Sequence, residues 1–133
     1  MTRKEAREQA FILMFEYSFS GDGAEELFDI AKEAGLDIDD EFCTRAVSAA
    51  IEKSDEIDDI ISRYSKGWKA ERLARVTLAA LRLALAEMLT FDDIPVSVSI
   101  NEAVELIKKY ATEQDAAFAN GILGSYSRTE KDL

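Results

Sequence analysis

Three bases near the start of the chain, Arg3, Lys4 and Arg7, stand at i, i+1 and i+4. On a helix that spacing lets all three reach one side and meet an anion together. The competing reading is a solvated helix start, with Glu5 and Glu8 as local partners. A second polar feature is Arg82 with Glu87, set in the almost wholly apolar run from Leu73 to Leu89. There an ion pair, buried or at an interface, is expected, because burying either charge alone is costly. Asp37, Asp39 and Glu41 imitate the opening of a calcium loop, but Phe42 takes the position of the required glycine and Ser48 that of the closing carboxylate. A solvated turn with acids at a helix start explains them better. The chain has no histidine, no Gly-x-Ser-x-Gly elbow and no Gly-rich phosphate loop. No catalysis, no metal and no cofactor are therefore expected.

The elements that must position these residues are helices. From Leu73 to Leu89 the chain is almost wholly apolar, with alanines at 74, 79, 80, 84 and 86 where neighbouring backbones can come close. A helix that is apolar all round is surrounded by other helices or lies in a membrane. Arg75, Arg82 and Glu87 interrupt the run, so a membrane span is not expected. The stretch reads as a central helix wrapped by a bundle, with a possible joint at Val76–Thr77 where Thr77 can cap.

Around it the 3.6-residue period predicts a helix over 2–19, with Ala6, Ala10, Leu13, Met14 and Tyr17 inward and Phe11 and Phe15 beside them. A helix over 24–34 follows, with Leu27, Phe28, Ile30 and Ala31 inward and Gly35 as its stop. After the turn at 36–40, a helix over 40–53 buries Phe42, Cys43, Ala46, Val47, Ala50 and Ile51. Ser54 or Asp55 caps the next, which carries Ile57, Ile60, Ile61 and Tyr64 and ends at Gly67. Ser99 with Glu102 reads as a capping box opening a helix to 110, with Val98, Ile100, Val104 and Ile107 on its buried side. The last helix covers 115–127, with Ala119, Ile122, Leu123 and Tyr126 inward and a polar, frayed tail from Arg128. Gly121 within it suggests close packing or close approach of a ligand.

The fold class is all-α, in one domain over 1–133. Cys43 is the single cysteine and reads as a small buried hydrophobe. The N-terminus has no hydrophobic run and cleavage site, so a cytoplasmic location is expected. The net charge of −11 is unevenly spread. Residues 16–62 hold fifteen acids against three bases, whereas residues 63–82 hold six bases against Glu71 alone. A basic patch farther than about a Debye length (~10 Å at 0.1 M salt) from the acids can still bind phosphate.

The C-terminal half carries a specific pattern. Leu81-Arg82-Leu83-Ala84 with Glu87 precedes Ile94-Pro95, then Ile100-Asn101-Glu102-Ala103-Val104-Glu105-Leu106 with Lys108. Phe118-Ala119-Asn120-Gly121-Ile122-Leu123 closes it, and Trp68 with Arg72-Leu73 extends it upstream. In order and spacing this resembles the NusB family; the likeness covers nearly the whole chain and is most specific from 68 to 124. Ala6-Arg7-Glu8 before an apolar helix is similar to the family's first helix.

The resemblance implies a compact seven-helix bundle without catalysis. It implies binding to the boxA element of nascent ribosomal RNA, as single-stranded RNA, together with NusE, a small-subunit ribosomal protein. The pair joins a Nus complex that lets RNA polymerase read through terminators. The family's arginine-rich N-terminus maps onto Arg3, Lys4 and Arg7, and its RNA-stacking aromatics onto Tyr64 and Phe118, with Lys66 a further phosphate contact. Stacking on unpaired bases is worth about 1–3 kcal/mol per ring. Phe15, Arg72, Thr77 and Arg82 are the candidate partner-binding residues.

Two departures from the pattern matter. The N-terminal cluster holds only three bases, interleaved with acids. Three phosphate contacts give a log–log salt slope of about −2 on single strands, so a partner should matter more. Thr77 stands where relatives often carry an acid facing NusE. An Arg7→Glu reversal is expected to weaken RNA association with thermal stability nearly unchanged, and the reading needs Arg3, Arg7 and Tyr64 on one continuous edge. The alternative is a protein-binding module acting mainly as a homodimer through Phe15, Arg82 and neighbouring surface. A third reading, an accessory domain of an RNA methyltransferase, is set aside because 133 residues leave no space for a cofactor-binding domain.

Overall fold

Thr2 begins the first helix by a reciprocal cap: its hydroxyl accepts from the Glu5 amide while the Glu5 carboxylate accepts from its own amide. In the computed structural model, which describes residues 1–21, 23–35 and 40–130, this helix is α1 (Arg3–Ser20). It is followed by α2 (Ala24–Glu33), α3 (Glu41–Glu52), α4 (Ser54–Tyr64), a 3-10 turn (Ala70–Arg72), α5 (Arg75–Thr90), α6 (Val96–Tyr110) and α7 (Glu113–Glu130). Among the described residues there is no strand, and the all-α expectation holds.

Helix α5 is the axis of the bundle. It packs against α1, α3, α4, α6 and α7, and eleven of its residues, from Thr77 to Met88, are buried. Its alanines at 79, 80, 84 and 86 sit at those contacts without side chains that would hold the neighbours off. One continuous core runs from Ala6 on α1 to Tyr126 on α7. Cys43 is buried, and desolvation pushes its thiol up to about 11. Gly35 has a φ of +83°, the left-handed conformation that stops α2.

Several local expectations are corrected, and in two of them a hydroxyl read as a cap, on Thr77 and on Ser99, turns inward instead. The joint before α5 lies at Leu73–Ala74, and Ala74 precedes the helix with no side-chain cap. Thr77 is inside α5, buried, and its Oγ1 has no hydrogen-bond partner among the described residues. Pro95 stands at the start of α6, so Ser99 is a helix-interior residue whose hydroxyl donates to Glu87 Oε1 at 3.0 Å. Ser54 is already helical, and α4 has no side-chain cap. Ile30 and Val98 are exposed rather than inward. The tail is not frayed at Arg128, since α7 continues to Glu130. Asp40 accepts from the Cys43 amide and starts α3; the turn before it, with Asp37 and Asp39, lies outside the described residues. Thr112 does cap, its Oγ1 accepting from the Asp115 amide.

Candidate nucleic-acid interface

The N-terminal bases do not share one surface. Arg3 and Lys4 are exposed, but Arg7 is 3% exposed and donates from Nε and Nη2 to the two oxygens of Glu87, at 2.9 Å each. Ser99 completes the carboxylate's shell, Glu102 stands 3.9 Å from the guanidinium, and the Phe42 ring lies 5.0 Å away. Arg7 is therefore an internal strut joining α1, α5 and α6, not a free cation. Arg3 lies over the same ring at 4.5 Å, and Lys4 approaches Glu102 at 3.7 Å. The cleft here, about 170 Å³, is lined by Lys4, Arg7, Glu8, Glu102, Glu105, Leu106 and Lys109, a balance of both signs that gives an anion little preference. Lys109 and Tyr110 both donate to Glu8 and hold its carboxyl below the usual carboxylate range.

The expected pairing of Arg82 with Glu87 is also corrected. Arg82 instead makes a two-pronged bond to Asp58 of α4, at 2.9 and 2.8 Å, while Glu87 is met by Arg7 of α1.

Tyr64, Lys66 and Phe118, far apart in sequence, are brought together. They line a cavity of about 250 Å³ with Ala117, Gly121, Ile122, Ser125 and Arg128. The Tyr64 ring meets Tyr126 edge-on at 6.0 Å, and its hydroxyl donates to Glu130, which pushes the phenol above its usual range. Arg63 is held by Asp59 and Glu130 at 3.0 Å each. Lys66 has a left-handed backbone, φ +55°, and among the described residues neither it nor Arg128 makes an ion pair. Gly121 is not a close-packing site: a Cβ added there would meet nothing within 4 Å. Arg128 is the residue that sequence reasoning missed, although it lies ten residues beyond Phe118 and so shares its helix face.

A second groove, about 400 Å³, is lined by Trp68, Arg72, Leu73, Ala74, Thr77, Gln114, Asp115 and Phe118. It unites Arg72 with Thr77 and shares Phe118 with the first cavity. Trp68, 57% exposed, forms part of its rim. Phe15 is elsewhere, edge-on to Phe19 at 4.9 Å and beside an apolar hollow formed with Phe11, Ile12, Val76 and Tyr110. The four candidate partner-binding residues thus form no single patch. Lys4 and Arg7 line one cavity and Tyr64 another, with Arg7 buried, so the continuous edge expected for Arg3, Arg7 and Tyr64 is not present. RNA binding has to rest on the Tyr64–Phe118 cavity instead.

The sequence model of the NusB family matches residues 4–128. The chain belongs to the NusB family. It is 42% identical to the transcription antitermination protein NusB of Natranaerobius thermophilus over 128 residues, 92% of each chain. It is 41% identical to that of Agathobacter rectalis, covering 96% of this chain and all of the relative. Solved structures agree. The NusB chain of a complex of antitermination factors NusB and NusE with double-stranded RNA superposes with a TM-score of 0.83 at 31% identity, covering 95% of this chain and 96% of that one. T. maritima NusB gives 0.80 at 34%, covering 97% and 92%. The family resemblance drawn from residues 68–124 therefore holds across both the sequence and the NusB fold.

Proposed function

We propose that this chain is an RNA-binding transcription antitermination factor. It binds boxA-type RNA together with NusE and joins a Nus complex that supports read-through by RNA polymerase. Its work is binding rather than catalysis, done by one domain in the cytoplasm; among the described residues no helix is long and apolar enough to cross a membrane. The observation that carries the reading is the cavity where Tyr64 and Phe118 stand beside the unpaired cation Lys66 in a NusB-family chain. Two rings and a cation suit stacking and phosphate contact on RNA. Arg3 and Lys4 add exposed charge, while Arg7 supports them from inside. NusE takes the groove of Arg72 and Thr77, where the exposed Arg72 and the Trp68 rim, rather than the buried Thr77 hydroxyl, face an incoming chain. The homodimer alternative loses an anchor, since Arg82 is committed to Asp58.

Titration of labelled boxA RNA with the protein, with and without NusE, tests this. Preferential binding of boxA over a scrambled RNA, tightened by NusE, is expected; equal binding of both RNAs in each condition contradicts it.

A further inference from the structure

The geometry points to Arg128 as a phosphate-binding residue that, with Lys66, brackets a pocket for one unpaired nucleotide whose base lies against Phe118 and Tyr64. This rests on the RNA-binding function proposed above and locates its grip within the fold. Phe118, Gly121, Ser125 and Arg128 follow one another at three, four and three residues, so they form a single strip along α7 facing Lys66 and Tyr64 at the end of α4. Phe118 and Tyr64 are half-buried, each presenting part of its ring to the cavity.

The strip is open because of what it lacks. At Gly121 a Cβ would enter empty space, so this glycine widens the cavity rather than packing against a neighbour. At Gly124 a Cβ would stand 3.1 Å from Arg128 Nη1, so its absence lets the guanidinium fold back along the helix. Folded this way, Arg128 donates to the Ser125 hydroxyl at 3.4 Å. Glu130, two positions further along the helix, is taken by the Tyr64 hydroxyl and by Arg63. Lys66 and Arg128 thus line the cavity beside two rings and, among the described residues, make no ion pair, a combination that suits stacking of a base with contacts to its flanking phosphates. It also supplies cationic contacts that the sparse N-terminus, with Arg7 withdrawn, does not.

Two variants test this in the presence of NusE, with a fluorescein-labelled single-stranded boxA RNA and an unlabelled duplex of the same sequence as competitor. R128Q removes an exposed charge that holds no ion pair, so thermal stability should not change. Its binding should weaken severalfold, equally across RNA sequences, and the salt slope should shrink by about 0.7. G121L fills the cavity from a helical position with free space around it, so stability should hold or rise. It should lower affinity for the single strand at least tenfold and for the duplex much less. If the unaltered chain binds and both variants match it in affinity and salt slope, the pocket is overturned while the RNA-binding function stands. If G121L weakens duplex and single strand alike, the unpaired-nucleotide assignment falls. If the unaltered chain binds neither RNA, the function itself is overturned and the pocket with it.

Discussion

At Arg7, spacing alone misplaces the side chain. The i, i+1, i+4 pattern sets it beside Arg3 and Lys4 on a helical wheel, but a wheel does not show the carboxylate, eighty residues away, that closes over it. Glu87 did need a partner; Arg82, five positions earlier on the same helix, does not face it, because only three- and four-residue spacings do. Removing one member of a buried pair leaves the other charge uncompensated, at a cost of about 3–5 kcal/mol. R7A and E87A should each lower the unfolding free energy by about that amount in urea titrations, and together by less than the sum. The expectation for Arg7→Glu is accordingly reversed: it sets a second carboxylate against Glu87, and its main effect should be a large fall in melting temperature. Cys43 was legible from its apolar neighbours alone. With its thiol raised to about 11, it should resist iodoacetamide at pH 8 in the native protein and react once the protein is unfolded in guanidinium.

Helices were the most legible part of the chain, since each needs only a periodic apolar stripe, and all seven are present. Their starts were less so. A serine or threonine before an apolar run signals a cap only if its hydroxyl stays with its own backbone, and Ser99 turns to Glu87 instead. Nor does sequence show which helices touch. In the sequence Glu8 reads only as a local partner of the N-terminal bases, whereas in the fold it accepts from Lys109 and Tyr110 and clasps α1 to α6. Because Glu8 is depressed in the folded state, it contributes stability above the ordinary carboxylate value of 4.5, which is lost as pH falls through its lower folded value. The melting-temperature gap between the unaltered protein and E8Q should be full near pH 7 and close progressively below about pH 4.5. On α5, the buried Ala84 leaves no space for a larger side chain. A84L should destabilise by about 1–3 kcal/mol, measured by chemical denaturation.

Over the whole molecule, the net charge of −11 and the RNA-binding proposal are compatible because the usable cations are local. Arg63, Arg82 and Arg7 are matched to carboxylates and Lys4 approaches Glu102, whereas Lys66 and Arg128, which line the aromatic cavity, make no ion pair among the described residues. Composition revealed the basic segment from 63 to 82, but not which of its members are already paired. Family membership was legible from the motifs at 68–124, whereas the cavity was not, because it joins the end of α4 to a face of α7 that only folding brings together. The most direct test is ultraviolet cross-linking of boxA RNA to the complex with NusE, followed by peptide mapping. Cross-links should fall on the peptides that contain Tyr64 and Phe118; cross-links absent from both and confined to α1 and α2 would contradict the account.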